Sequence, residues 1–278
     1  MFNKFEKLRQ RLSLENILRL NYLAVLVTIL LGVLVKLTDS GSACGPSWPL
    51  CPPLAENFSW QALIEFSHRL ATFLIGVIFC SSLLITLKKR LTSLYELTCL
   101  VFFLLLLEAV VGKIIVIFDL PSLSLSYFKL ALYSVHPVLS VLLLVCSGFL
   151  FLRLEQPHAL NFIKSPGNLL KLGLLLLIPF FGSVNSLILK QTGVYVTADH
   201  EEIKSLYFDM PILLVHPILS SFLTIFFYIN KDVFSRPLLL SLMTGLLIPF
   251  LKNEILIFFH SFFYFIAIHF FIFSPKRA

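Results

Sequence analysis

The sequence predicts an all-α integral membrane protein with eight transmembrane helices in two pseudo-repeated four-helix bundles. Three observations lead there. Hydrophobic residues make up 58% of the 278 and charged residues only 13%, where a soluble domain carries about 25% charged residues. The apolar residues fall into successive runs, most of them near the ~20 residues needed to cross a bilayer. The two halves of the chain also look like weak copies of one another, as membrane proteins built from internal repeats do.

Taken in order, the first helix covers about 20–37. Residues 1–21 are charged and partly amphipathic, with no short apolar core and small-residue cleavage site, so the first apolar run is expected to stay as a helix. The second runs over 62–87 and stops at Lys88-Lys89-Arg90. The third, 92–118, carries Glu108 and Gly112, and the fourth is 127–152. A polar segment with two prolines, 153–167, separates an N-terminal half (1–152) from a C-terminal half (168–278). Helices five to eight follow at 168–190, 208–229, 237–251 and 254–273. The seventh, Pro237 to Leu251, is short.

The net charge of +7 is distributed as topology and not as a nucleic-acid site. Lys4, Lys7, Arg9, Arg11 and Arg19 precede the first helix. Lys88 to Arg90 follow the second; Arg153, Lys164 and Lys171 bracket the linker; and Lys231, Arg236, Lys276 and Arg277 complete one side. The excess of basic residues on that side puts both termini in the cytoplasm of a bacterial-type inner membrane. Cys44 and Cys51 then lie outside, where a disulfide can form. Gly45, Pro46 and Pro49 shape the loop between them, which either bridges as a fixed lid or exchanges thiols with an assembly partner. Cys80, Cys99 and Cys146 sit in apolar runs and are expected to be small buried hydrophobes.

Seven histidines sort by depth. His68, His136, His216 and His260 each fall in the outer turns of an even-numbered helix, which places four imidazoles in one layer. Two bis-imidazole sites follow, His68 with His136 and His216 with His260, and such pairs can ligate a haem iron across a four-helix bundle. His269 lies about 13 Å deeper at 1.5 Å per residue and falls outside the layer. His158 in the linker and His200 in the second outer loop are expected to be solvated. Val135-His136-Pro137 and Val215-His216-Pro217 have matching surroundings, each following a Tyr-Phe pair by six residues. The proline removes a backbone donor and is expected to bend the helix. Gly112 and Gly245 each precede a histidine on the next helix, His136 and His260.

One stretch carries a specific resemblance. Gly32, Val35, Thr38, Ser40, Gly41, Cys44, Trp48, Pro49 and Cys51 are followed by Glu65, His68 and Arg69. This resembles the haem A synthase family, whose first outer loop has the form G-x-x-V-R-x-T-x-S-G-x-x-C-x-x-W-P-x-C before a helix opening E-x-x-H-R. Lys36 replaces the family's usual Arg, and one extra residue separates Cys44 from Trp48.

The resemblance implies oxidation of a haem O methyl group to a formyl group, giving haem A for cytochrome oxidase assembly, with water as the oxygen source. It implies that His216 and His260 hold haem b, and that His68 and His136 line the pocket for haem O. Pro217 stands where the family often has Arg, which leaves the propionate contacts of the second haem open. Glu65 shares a helix face with His68 and is the candidate base; its structural alternative is an ion pair with Arg69 or Lys36. Arg69 and Lys36 are candidates for haem propionates, Arg being the better fork, or for interfacial snorkelling. Glu108 either takes a functional role or contacts Lys113. The expected partners are haem O, membrane lipid and haem O synthase, with a homo-oligomer left open. The competing functions are a non-catalytic bis-His b-type electron carrier and a haem chaperone.

Overall fold

The computed structural model describes residues 2–47, 49–52, 59–118, 127–155, 165–191, 212–230, 232, 235–251 and 254–273. Trp48, His158 and His200 lie outside the described residues. Among those described there are eight α-helices: α1 (Phe2–Leu37), α2 (Trp60–Lys88), α3 (Thr92–Ile117), α4 (Tyr127–Glu155), α5 (Pro166–Gln191), α6 (Ile212–Ile229), α7 (Ser235–Leu251) and α8 (Glu254–Phe273). Five contain stretches long and apolar enough to cross a membrane, in α1 to α5, and Val215–Ile229 and Phe259–Phe273 are shorter apolar helical stretches.

α1 begins far earlier than the expected residue 20. Neither glycine nor proline occurs before Gly32, so nothing in the charged N-terminal segment breaks the backbone ladder, and Lys, Glu, Gln, Arg and Leu all propagate a helix. α1 and α2 end alike. Asp39 and Arg90 adopt positive φ, both 52°, and the next residue's N–H closes back on the helix, Ser40 to Val35 O and Leu91 to Thr86 O. This is the Schellman closure that satisfies the last carbonyls. Ser59 caps the start of α2 by accepting the Ala62 N–H at 3.1 Å, as an N-cap serine does.

Several hydroxyls within the apolar helices find partners in their own backbone. Ser67, Thr72, Thr98, Ser134 and Thr224 each donate to the carbonyl four residues earlier. That removes the cost of an unpaired polar group where no water can replace the partner. Pro137, Pro179 and Pro217 lie inside α4, α5 and α6, and each of these helices continues through its proline.

The chain divides into two compact units, Met1–Lys113 with Leu139–Ser165, and Ile114–Val138 with Pro166–Ala278. In the first, α1 packs on α2. Leu14, Leu18, Tyr22 and Val25 form the buried stripe of α1, at the three- and four-residue spacing of one helix face. Ala62, Ile75 and Phe79 are the buried apolar positions of α2. A buried polar rung crosses this pair, Asn21 Nδ2 donating to Ser82 Oγ at 2.7 Å. Arg19 lies over the Phe151 ring at 5.4 Å. In the second unit α6 contacts both α5 and α7, and α7 packs along α8. Leu223 and Phe227 of α6, with Ala267, Ile268 and Phe271 of α8, are buried. The outward positions are also apolar, for example Phe73, Val77, Phe103, Val110, Phe222 and Ile225, which is the surface that suits lipid. Cys80 belongs to this outward set and is exposed, while Cys99 and Cys146 are half-buried. The expectation of burial fails for Cys80 because it follows the inward Phe79 by one residue, about 100° around the helix.

Candidate functional site

Two constructions stand out, one in each unit. The first joins α2 to the loop after α1. A disulfide links Cys44 and Cys51, and both cysteines are buried against Ala62 and Phe66. Beneath them Glu65 and Arg69 form an i,i+4 ion pair with side chains 3% and 4% exposed. Glu65 Oε2 accepts the Cys44 backbone N–H at 2.6 Å, and Glu65 Oε1 accepts from Arg69 Nε and Nη2. Arg69 Nη1 donates to Ser47 O and Leu50 O, and Nη2 to Gly45 O. A guanidinium has five N–H donors in a fixed fork, and here each has an acceptor. The pair holds the loop at four backbone positions, 44, 45, 47 and 50. Gly45 takes φ +64°, a left-handed conformation that glycine adopts without strain.

On the same helix His68 rests against α1. A Cβ on Gly32 would stand 3.1 Å from His68 Cε1, so the ring occupies space that only glycine leaves. His68 Nδ1 lies 3.1 Å from Thr28 O, one turn before that glycine. Lys36 is exposed in the last turn of α1, where a cation complements the helix dipole. Glu108 accepts a hydrogen bond from Ser140 Oγ, so this acid on α3 joins it to the later part of α4.

The second construction lies among α5 to α8. The His216 and His260 rings stand 5.9 Å apart, centroid to centroid, with planes at 86°. Each is seated on a glycine of the preceding helix. A Cβ on Gly182 would be 3.0 Å from His216 Cε1, and one on Gly245 would be 2.7 Å from His260 Nδ1. His260 Nδ1 also lies 2.6 Å from Ser241 O, and Ser241 Oγ donates to His260 O at 2.8 Å. One turn further along α8, the buried Tyr264 donates its hydroxyl to Leu175 O at 2.7 Å. His269 lies apart from this group, tilted over Phe273 at 4.5 Å.

The ring separation is a test of fit. With metal–imidazole bonds of about 2.0–2.1 Å and roughly 1.1 Å from ring nitrogen to centroid, two imidazoles on one iron stand roughly 6.2–6.4 Å apart. The observed 5.9 Å is a few tenths of an ångström short of that, a gap that a small outward movement of either ring closes. Among the described residues there is no cluster of three or more His, Cys, Asp or Glu able to hold a metal ion. A two-imidazole set suits an iron whose remaining positions are filled by a macrocycle.

Of the residues singled out in the sequence, the structure brings together His216 with His260, Glu65 with Arg69, and Cys44 with Cys51. His68 belongs to the first compact unit, while His136, on α4, belongs to the second. Sequence reasoning noticed Gly245 ahead of His260 but missed Gly32 and Gly182 as seats, and missed Thr28 and Ser241 altogether. A glycine at the same depth as the next helix's histidine was the available clue.

Comparison with known proteins bears on the first part of the chain. Residues 53–185 match the COX15-CtaA family of cytochrome oxidase assembly proteins. Over 132 residues the chain is 34% identical to a haem A synthase of Bacillus mycoides, the match covering 46% of this chain and 42% of the relative. Haem A synthases of Bacillus cereus and Bacillus anthracis match at 33% over the same length and shares. The chain thus spans less than half the length of these curated relatives. No solved structure matches it. Through residues 53–185, the chain is similar to the cytochrome oxidase assembly proteins of the COX15-CtaA family, and the curated relatives it matches are haem A synthases.

Proposed function

We propose that the chain is a haem A synthase, an oxidoreductase that converts a methyl group of haem O to the formyl group of haem A. The observation that carries this reading is the pair of glycine-seated imidazoles, His216 and His260, close to the spacing of two ligands on one iron. In this reading they hold a resident haem b, whose chemistry when bound is one-electron transfer. His68, in the first compact unit, lines the pocket for haem O. The methyl carbon takes its oxygen from water through two successive hydroxylations, each passing two electrons to an external electron acceptor and releasing two protons, and loss of water from the resulting geminal diol leaves the formyl group.

Glu65 is the base that the sequence offers to that chemistry. Its two oxygens are held by Arg69 and the Cys44 N–H, so the role requires that the loop release it. Arg69 has committed its donors to Glu65 and the loop, which leaves Lys36 as the candidate cation for a propionate. The five long apolar spans and the two shorter apolar helices support a multi-pass arrangement, which the proposal extends to eight spans. The proposal puts it in a bacterial-type inner membrane with both termini cytoplasmic, the Cys44–Cys51 loop outside, and haem O synthase as neighbour.

The deciding experiment is co-expression with a source of haem O, followed by extraction of the pigments and analysis of the purified protein. Haem A in the extract, with one tight haem b per chain and substoichiometric haem O or A, supports the proposal. Two identical tight haems b with no haem A point instead to a b-type electron carrier and overturn it.

A further inference from the structure

The histidines on α2 and α8 are held by the same device, although they lie in different compact units. On α1 the order is Thr28, three residues, Gly32; on α7 it is Ser241, three residues, Gly245. In each case the glycine provides the space for the ring, and the carbonyl one turn earlier meets Nδ1, at 3.1 Å for His68 and 2.6 Å for His260. A carbonyl oxygen only accepts, so Nδ1 must carry the proton. A neutral imidazole protonated there has its lone pair on Nε2. On α7 the device has an additional part. Ser241 is buried, its hydroxyl donates to His260 O, and its oxygen lies 3.2 Å from His260 Nδ1 as a second acceptor for the same proton.

We propose that Ser241 and Gly245, and by the same construction Thr28 and Gly32, are positioning residues that fix His260 and His68 as Nδ1-protonated imidazoles, leaving Nε2 as the ligating nitrogen. The proposal rests on the haem-ligand reading of these histidines. It adds residues outside the ligand set and assigns which ring nitrogen each ligand uses. Hydrogen bonding at the far ring nitrogen orients a metal-bound histidine and strengthens it as a donor; losing such a partner commonly weakens metal binding by about 10- to 100-fold. The glycines act sterically. At 2.7 Å from Nδ1, a Cβ at residue 245 forces the ring to move.

The test uses the full chain purified as wild type and as Ser241→Ala, Ser241→Thr and Gly245→Ala variants. Haem retention, the low-spin electron paramagnetic resonance signal and the midpoint potential are measured on the haem-loaded protein. The ring nitrogens of His260 are followed by nitrogen-15 resonance in the haem-free protein, assigned with His260→Gln. Expected are an Nδ1-protonated His260 in the haem-free wild type, and for Ser241→Ala, which keeps the 2.6 Å carbonyl acceptor and loses the hydroxyl that braces it and offers Nδ1 a second oxygen, an upward shift in potential with haem retention weakened by less than the ~10-fold of losing the partner outright. Ser241→Thr restores both, and Gly245→Ala loses the low-spin signal and mixes the tautomers. An Nε2-protonated His260 in the wild type, or variants that leave potential, retention and tautomer unchanged, overturns the positioning role while leaving the haem reading intact. A wild-type chain without a bis-imidazole low-spin signal overturns the haem reading itself, and the positioning role with it.

Discussion

Replacing Arg69 with methionine removes the guanidinium beneath the 44–51 loop and leaves Glu65 charged among buried atoms. Both side chains are almost fully shielded, at 3% and 4% exposure, so solvent cannot take over the missing partner. Breaking one side of a buried pair costs about 3–5 kcal/mol. If the whole penalty falls on the loop, the lower figure corresponds to roughly a hundredfold shift at about 1.4 kcal/mol per factor of ten. The assay titrates detergent-solubilised protein with dithiothreitol and scores freed Cys44 and Cys51 by a maleimide–polyethylene glycol gel shift. Arg69→Met is expected to be reduced at far lower reductant than wild type. Arg69→Lys falls between them, since one ammonium cannot reach Glu65 and three carbonyls with a fork's geometry. The double variant Glu65→Gln/Arg69→Met recovers much of the loss, because no unpaired charge remains. An unchanged reduction profile in Arg69→Met, or a double variant no better than the single, would refute the clamp.

Two smaller effects follow from the polar contacts between elements. Asn21→Leu removes the bond to Ser82 across α1 and α2. Since Ser82 Oγ retains its own bond to Ile78 O, the loss in thermal stability should stay near the 0.6–2 kcal/mol, roughly, of an interhelical hydrogen bond in a membrane. Lys171→Ala unpairs Asp232; with both side chains partly exposed, the cost should be no more than about 1 kcal/mol, shrinking as salt is raised, as thermal melts at two ionic strengths would show.

The sequence made the helical character legible because apolar runs between basic clusters have few other solutions in a bilayer. It placed α2, α3 and α5 within two residues at each end, since Lys88-Lys89-Arg90 and Pro166-Gly167 punctuate them plainly. It misjudged the start of α1, where the apolar run and the helix are different things: the membrane limits the former and the backbone ladder the latter. The site was legible as residue types. His216 and His260 were paired by counting turns. What could not be counted was who holds them, because a seat depends on which face of a neighbouring helix turns inward, and glycine has no side chain to announce it. Arg69 shows the opposite failure. Its charge suggested a propionate, yet its donors close on Gly45, Ser47 and Leu50 carbonyls, and backbone acceptors are invisible in a sequence.

The register of α8 depends on a defect in α5. Pro179 has no N–H, so Leu175 O lacks its usual helical donor four residues on. Tyr264 supplies the missing proton at 2.7 Å, one turn from His260, whose Nδ1 is bonded to α7. Two hydrogen bonds on successive turns therefore index α8 against α5 and α7, and this sets the 5.9 Å between His260 and His216. Tyr264→Phe keeps the ring but strips Leu175 O of its donor, at a cost of about 1–3 kcal/mol for a buried acceptor left unmade. Pro179→Ala restores a backbone N–H to that carbonyl, so the double variant should regain most of the loss. Thermal melts of the four proteins close the cycle. Additive effects would mean that the tyrosine and the proline are independent, and that α8 takes its register from packing alone.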